Sequence, residues 1–219
     1  MHSMLQWKYS SYWVQRGVFV MTQQELEAKI RRLEDYRDIC NLQGRYNHYM
    51  LSGRFDRILD MFAQKDRNVE IELADSGVFY GIEGVKKVFS VLHEKYGFPG
   101  SLGLHMLMTP VIEVSKDGKT ARGMWHSFGC NTIKEGSQLS AMWQAGKYDI
   151  TFVKEDAKWR YRVFKWYVIF RTPFDEGWVK RPIISGLHQE EGPSVGALYE
   201  PYDPIKSGEF LPLPPEQVE

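Results

Sequence analysis

Cysteine is nearly absent from this sequence, with only Cys40 and Cys130 among 219 residues. Two distant thiols make neither a disulfide framework nor a metal-binding spacing, which points to a reducing, cytoplasmic setting. An excess of charge is missing too: 28 basic residues face 28 acidic ones. That balance gives no argument for nucleic acid or an anionic membrane surface as partner. No apolar run reaches the roughly 18 residues needed to span a bilayer. HExxH, phosphate-loop, GxGxxG, nucleophile-elbow and clustered-cysteine patterns are all lacking, so no metal or nucleotide site is expected.

Aromatic residues, by contrast, are plentiful, with seven Trp, twelve Tyr and twelve Phe. Such a stock suits a pocket for a flat apolar ligand, and equally a large aromatic core or an oligomer interface. Residues 1–21 are aromatic but broken by Lys8 and Arg16, which makes a poor signal peptide and reads as an arm. Thr22 followed by Glu25 has the form of a capping box and marks the start of the domain.

Helical periodicity runs over 23–51 through Leu26, Ile30, Leu33, Ile39, Leu42, Tyr46 and Tyr49. A second helix follows Ser52-Gly53, with Phe55, Ile58, Leu59 and Phe62 as its stripe. Short strands are expected at 68–74 and 78–81, then a third helix over 82–96, stopped by Gly97 and Pro99. From 104 the period changes to two. Strands at about 104–114 and 119–133 join at Asp117-Gly118, a strong hairpin signal. Strands at about 138–154 and 158–171 follow. Three helices, two short strands and a long antiparallel meander indicate an α+β domain with helices on one sheet face. The domain is expected over 22–180. Residues 181–219, rich in Pro, Gly and Tyr, read as an extended tail that wraps this domain or a neighbouring subunit.

The first hairpin carries His105 and His126. An even-numbered turn at Asp117-Gly118 puts both on one face, with Leu107, Val111, Met124 and Phe128. Met106, Met108, Ile112, Val114 and Trp125 then take the other face. Pro110 marks a place where a bulge would invert part of this assignment. Both faces are apolar, so a partner subunit or the tail is expected to cover the one the helices leave. An imidazole among apolar side chains stays neutral near pH 7 and is a competent general base. The plainer reading is a core histidine satisfied by a backbone carbonyl. Tyr46 supplies a buried phenol or merely packs. His48 and His93 lie off the apolar stripes and read as solvated.

The segments CNLQGRYNHYMLSGRFDRILDMFA, GVFYGIEGVKKVF, LHMLMTPVIEVSKDGKTARGMW and GKYDITFVKEDAKWRYRVFKW, in that order and spacing, resemble the SnoaL-like branch of the nuclear transport factor two-like superfamily. The likeness to the scytalone dehydratase and bile-acid dehydratase group covers roughly 25–180. It implies a cone-shaped α+β fold: a long N-terminal helix, two further helices and a strongly bent, mostly antiparallel sheet enclosing an apolar pocket. It also implies lyase or isomerase chemistry without metal or organic cofactor. Tyr46 and His105 match the positions of the family's acting Tyr and His. Two pocket acids of the family are replaced, by Leu51 and near Gly129.

On this basis the expected activity is a cofactor-independent lyase, a dehydratase or relative, for a hydrophobic cyclic or aromatic alcohol. His105, Tyr46 and His126 are its expected catalytic residues; Tyr49, Leu51, Leu107, Met124 and Phe128 are its expected substrate contacts. A homo-oligomer, dimer or trimer, is expected. Two other classes stay open: a non-catalytic binding module for a polycyclic ligand, favoured by the missing acids, and a structural subunit of an aromatic-ring dioxygenase.

Overall fold

The computed structural model describes residues 21–74, 77–183, 202, 203, 205 and 212–218. All of the expected arm over 1–21 except Met21, and most of the expected tail, therefore lie outside the described residues. Helix α1 (Gln23–Leu51) opens on the capping box: Thr22 Oγ1 accepts from the Glu25 amide at 3.2 Å, and Glu25 Oε2 accepts from the Thr22 amide at 2.8 Å. Its buried positions begin only at Asp35 and continue through Ile39, Leu42, Gln43 and Tyr46. That three-to-four spacing lays one stripe on the sheet. Asp35 ties the helix down by accepting from Trp159 Nε1 at 2.8 Å and pairing with Lys154.

Helix α2 (Phe55–Leu59) is followed by strands β1 (Glu70–Leu73) and β2 (Val78–Tyr80), then helix α3 (Gly81–Tyr96). Five more strands follow among the described residues: β3 (Gly103–Leu107), β4 (Val111–Val114), β5 (Thr120–Glu135), β6 (Gln138–Glu155) and β7 (Lys158–Pro173). The order across the curved sheet is β2-β1-β7-β6-β5-β3, with β4 also paired to β5. The fold is α+β, as expected, and β1 lies parallel to β7, which makes the sheet mixed. Tyr46 stands at the centre of the core. Its ring meets Phe89, Tyr148, Tyr161 and Phe164, with centroids 4.8–6.4 Å apart.

The expected single strand over 104–114 is two strands, and this difference decides which residues face inward. In β4, Val111 pairs with Met124 and Val114 with Ala121. In β3, His105 pairs with Gly129 and Leu107 with Ser127. The two registers differ by one residue, and the slip falls at Met108–Pro110. Proline has no amide for the ladder, so the irregularity sits there. The turn at Asp117-Gly118, with Gly118 at φ 67°, keeps the expected even register only as far as β4. Beyond Pro110 the parity inverts. His105 and Leu107 share the core face with Trp125, Ser127, Gly129 and Asn131, whereas His126 and Phe128 point to the outer face.

The described tail lies along that outer face. Lys147 Nζ donates to Pro212 O at 3.3 Å, and Arg122 Nη2 to Leu213 O at 3.5 Å. The Val218 amide donates to Glu113 Oε2 at 3.2 Å. Met106 and Met108 on the same side remain exposed. Among the described residues, no helix is long and apolar enough to cross a membrane.

Candidate active site

Helices α1 and α3 and the core face of the sheet enclose a cavity of about 370 Å³, a size common for small-ligand sites. Its mouth is formed by Leu51, Ser52 and Gly53 after α1, and by His93, Gly97 and Phe98 at the end of α3. The inner wall carries Tyr46, Tyr148, Trp166, His105, Asn131, Gln144 and Arg171.

Cross-strand pairing explains how the polar groups meet. His105 on β3 pairs with Gly129 on β5, Gly129 with Gln144 on β6, and Gln144 with Arg171 on β7. These four positions form one row across four strands. Gly129 has no side chain, so Gln144 reaches over it, and its amide nitrogen lies 2.6 Å from His105 Nε2. The same nitrogen donates to Asn131 Oδ1 at 3.3 Å. An amide NH₂ that donates to both makes Nε2 the acceptor and leaves the proton of the neutral ring on Nδ1. Nδ1 lies 3.4 Å from the Tyr148 hydroxyl, at the long end of hydrogen-bond range. Tyr46 stands behind Tyr148, the two rings edge to face with centroids 6.1 Å apart.

The electrostatics follow from burial. Desolvation, followed by the Arg171 charge, pushes His105 down to about 4, so the ring is neutral at pH 7. Burial also raises both Tyr46 and Tyr148 far above the usual phenol range, which keeps them protonated donors. Trp166 closes the floor. Its Nε1 donates to Ser127 Oγ at 2.8 Å, and its ring lies 5.7 Å from that of His105. Among the described residues lining the cavity there is one guanidinium and no carboxylate.

The expected site residues divide. Tyr46, His105 and Leu51 line this cavity, although Tyr46 meets His105 only through Tyr148. Leu107 packs against the core beside it. His126 is exposed on the opposite face, so the pairing of two inward histidines is corrected by the slip at Pro110. Phe128 and Met124 go outward with it, Phe128 stacking on Trp143 at 5.4 Å. Tyr49 lines a separate cleft near Arg57 and Trp159. His93, expected to be only solvated, sits at the mouth with its ring 5.6 Å from Phe55.

Tyr148, Gln144, Asn131 and Arg171 were missed by sequence reasoning. A signal existed: Met142, Gln144, Tyr148, Ile150 and Phe152 share one buried alternation on β6, and Gln144 is the one amide among them. At Gly129 a Cβ would lie 1.8 Å from Leu104 O. The β3 backbone fills the space that a side chain at 129 would need. Among the described residues, no cluster of three His, Cys, Asp or Glu side chains is placed to hold a metal.

The SnoaL-like domain family matches residues 31–165 of the chain. No curated protein sequence matches it. Several solved structures are similar in fold. One is a Novosphingobium aromaticivorans protein named as a scytalone dehydratase, 17% identical, with TM-score 0.55 over 67% of this chain and 91% of that one. Another is hexachlorocyclohexane dehydrochlorinase LinA-type3 from Novosphingobium barchaimii, 16% identical, with TM-score 0.57 over 67% and 94%. A third is an NTF2-like protein with a cystatin-like fold from Novosphingobium aromaticivorans, 20% identical, with TM-score 0.50 over 73% and 95%.

Proposed function

The chain belongs to the SnoaL-like domain family, and from that premise we propose that it is a cofactor-independent lyase for a hydrophobic cyclic or aromatic alcohol. The observation that carries this reading is a neutral imidazole 3.4 Å from a protonated phenol, on the wall of a cavity large enough for a small cyclic molecule. The two similar structures named as a dehydratase and a dehydrochlorinase add support, since both names denote eliminations.

Each proton in the proposed elimination has a place. His105 Nε2 takes the proton from the substrate carbon, in the position that the Gln144 amide holds. The ring then gives its Nδ1 proton to the Tyr148 oxygen, while Tyr148 gives its own proton to the departing hydroxyl. The C–H and C–O bonds break, the C=C bond forms, and water leaves. The ring ends with its proton on Nε2 and resets by exchange. Tyr46, packed behind Tyr148, supports the charge that develops on the phenol oxygen. With no carboxylate among the described lining residues, the acid and base roles are both assigned to the Tyr148–His105 pair.

The missing acids at Leu51 and Gly129 favour a second reading, a binding module with the same cavity and no chemistry. Incubation in D₂O with a panel of aromatic and alicyclic alcohols separates the two. Loss of water, with deuterium entering the residual substrate at the acidic carbon, supports the lyase. Tight binding with neither change supports the module.

A homo-oligomer in the cytoplasm is part of the same proposal. The exposed outer-face residues Met106, Met108 and Val111 support a second copy as partner, and the free thiols of Cys40 and Cys130 support a reducing compartment.

A further inference from the structure

We propose that the chain has a second binding site, apart from the cavity beside His105, and that it takes the phosphate group of a small organic phosphate ester. The site is the cleft of about 430 Å³ between α1, α2 and the β6–β7 turn. It shares no lining residue with the cavity, and the proposal does not depend on the elimination. Three elements bring cations to it. Asp38, Leu42, Arg45 and Tyr49 lie at three- and four-residue steps on α1 and face it as one stripe. Arg57 comes from α2, and Lys158 and Arg160 come from the start of β7. Local pairing joins these walls. The Ala63 amide donates to Tyr161 O at 2.8 Å, and the Tyr161 amide donates to Met61 O at 2.9 Å, which seats the end of α2 against β7. The Trp159–Asp35 hydrogen bond fastens α1 to the same strand.

Arg160 carries the inference. Its Nε is buried and has no hydrogen-bond partner. A charged donor shut away from any acceptor is costly, and a bound anion removes that cost. The acids nearby are engaged elsewhere. Asp156 is held by Lys65 Nζ at 2.6 Å and attracts Arg160 and Lys158 only at longer range. Glu155 accepts from the Gln64, Lys65 and Asp66 amides at 2.9–3.1 Å. Asp38 pairs with Arg37 at 2.9 Å. Among the described residues, Arg45, Lys158 and Arg160 form no ion pair. The cations of the cleft, Arg45, Arg57, Lys158 and Arg160, outnumber its carboxylates, Asp38 and Asp60. That surplus fits phosphate better than carboxylate. A phosphate monoester brings nearly two charges and three terminal oxygens, enough for guanidinium forks arriving from three elements. A carboxylate brings one charge and two oxygens. The cleft is larger than a phosphate group, and Leu42, Met61 and Trp159 give the organic part an apolar wall.

The test titrates the whole, nitrogen-labelled protein with phenyl phosphate and with phenylacetate at pH 7, following the NMR signals of the Trp159 indole N–H and the Arg160 Nε–H. Phenyl phosphate is expected to move both signals and to bind about 10-fold more tightly than phenylacetate. Arg45 and Arg57 are exposed, so Arg45→Gln and Arg57→Gln leave the fold intact, with circular dichroism as the check. Combined, they are expected to weaken phenyl phosphate by about 10-fold. If neither signal moves up to about 10 mM phenyl phosphate, beyond the range of ordinary specific binding, the site is overturned. Equal affinity for phenylacetate overturns the phosphate assignment, and so does an affinity that the double variant leaves unchanged. Movement of the Trp166 indole alone puts the probe in the cavity beside His105 and overturns the second site. None of these outcomes bears on the elimination, which is read from turnover.

Discussion

The Tyr148 hydroxyl and His105 Nδ1 lie 3.4 Å apart across one cavity wall, although 43 positions separate them in the chain. They meet because β3 and β6 both pair with β5, and the core-face alternation brings each side chain to the same side.

Tyr148→Phe removes the donor without removing the ring. Turnover is expected to fall by about 10²–10³, the usual effect of losing one oxyanion donor. Tyr46→Phe, one step further from the imidazole, should cost less. Steady-state rates of the two variants, with circular dichroism as the check on folding, decide this. A larger loss at Tyr46 would reverse the proposed order of the relay.

Stability should depend on His105 in acid. Its folded pKa of about 4 lies below the value of 6.5 for a free side chain. The unfolded chain therefore binds the proton first, and the contribution of the neutral ring is complete above about pH 6.5 and lost between there and pH 4. Each unit of the gap corresponds to about 1.4 kcal/mol at full burial, and the partial exposure of the residue reduces that. His105→Gln should flatten the fall in Tm between pH 7 and 4. An unchanged slope would place the acid sensitivity elsewhere.

Gly129→Ala should be severely destabilising, because the new Cβ would lie 1.8 Å from Leu104 O and force β3 away from β5. A loss of about 3 kcal/mol or more in urea unfolding is expected, of the order that overpacking produces. Restoring an acid at this position should fail for the same reason.

Glu72 is buried on β1 with no hydrogen bond to either carboxylate oxygen, and Lys165 Nζ is 3.8 Å away. Burial raises its pKa. A carboxyl with a raised folded pKa favours the fold when protonated, and that advantage is lost as the pH rises through the raised value. Glu72→Leu should therefore stabilise at pH 7 by about 1 kcal/mol, with the gain shrinking in acid. Tm at pH 4 and pH 8 checks the sign.

Much of the fold was legible in the sequence, because its signals are local. The capping box at Thr22 and Glu25, the stripe from Ile39 to Tyr46, and the glycine turn at 118 each act within a few residues. The site was less legible, because it depends on register. One slip at Pro110 moved His126, Met124 and Phe128 to the outer face and brought Trp125 inward. The row His105–Gly129–Gln144–Arg171 spans four strands, and no window of sequence contains it. The family resemblance supplied Tyr46 and His105 but not the groups around them: Tyr148 between the two, and Gln144 on the far ring nitrogen.

The most direct test of the account is the turnover of His105→Ala against wild type, followed by mass spectrometry in metal-free buffer, on an alcohol that the wild type dehydrates. The account predicts loss of water by the wild type and a rate about 10²–10⁴-fold lower in the variant, with the fold intact. A variant that turns over as fast as wild type would contradict it.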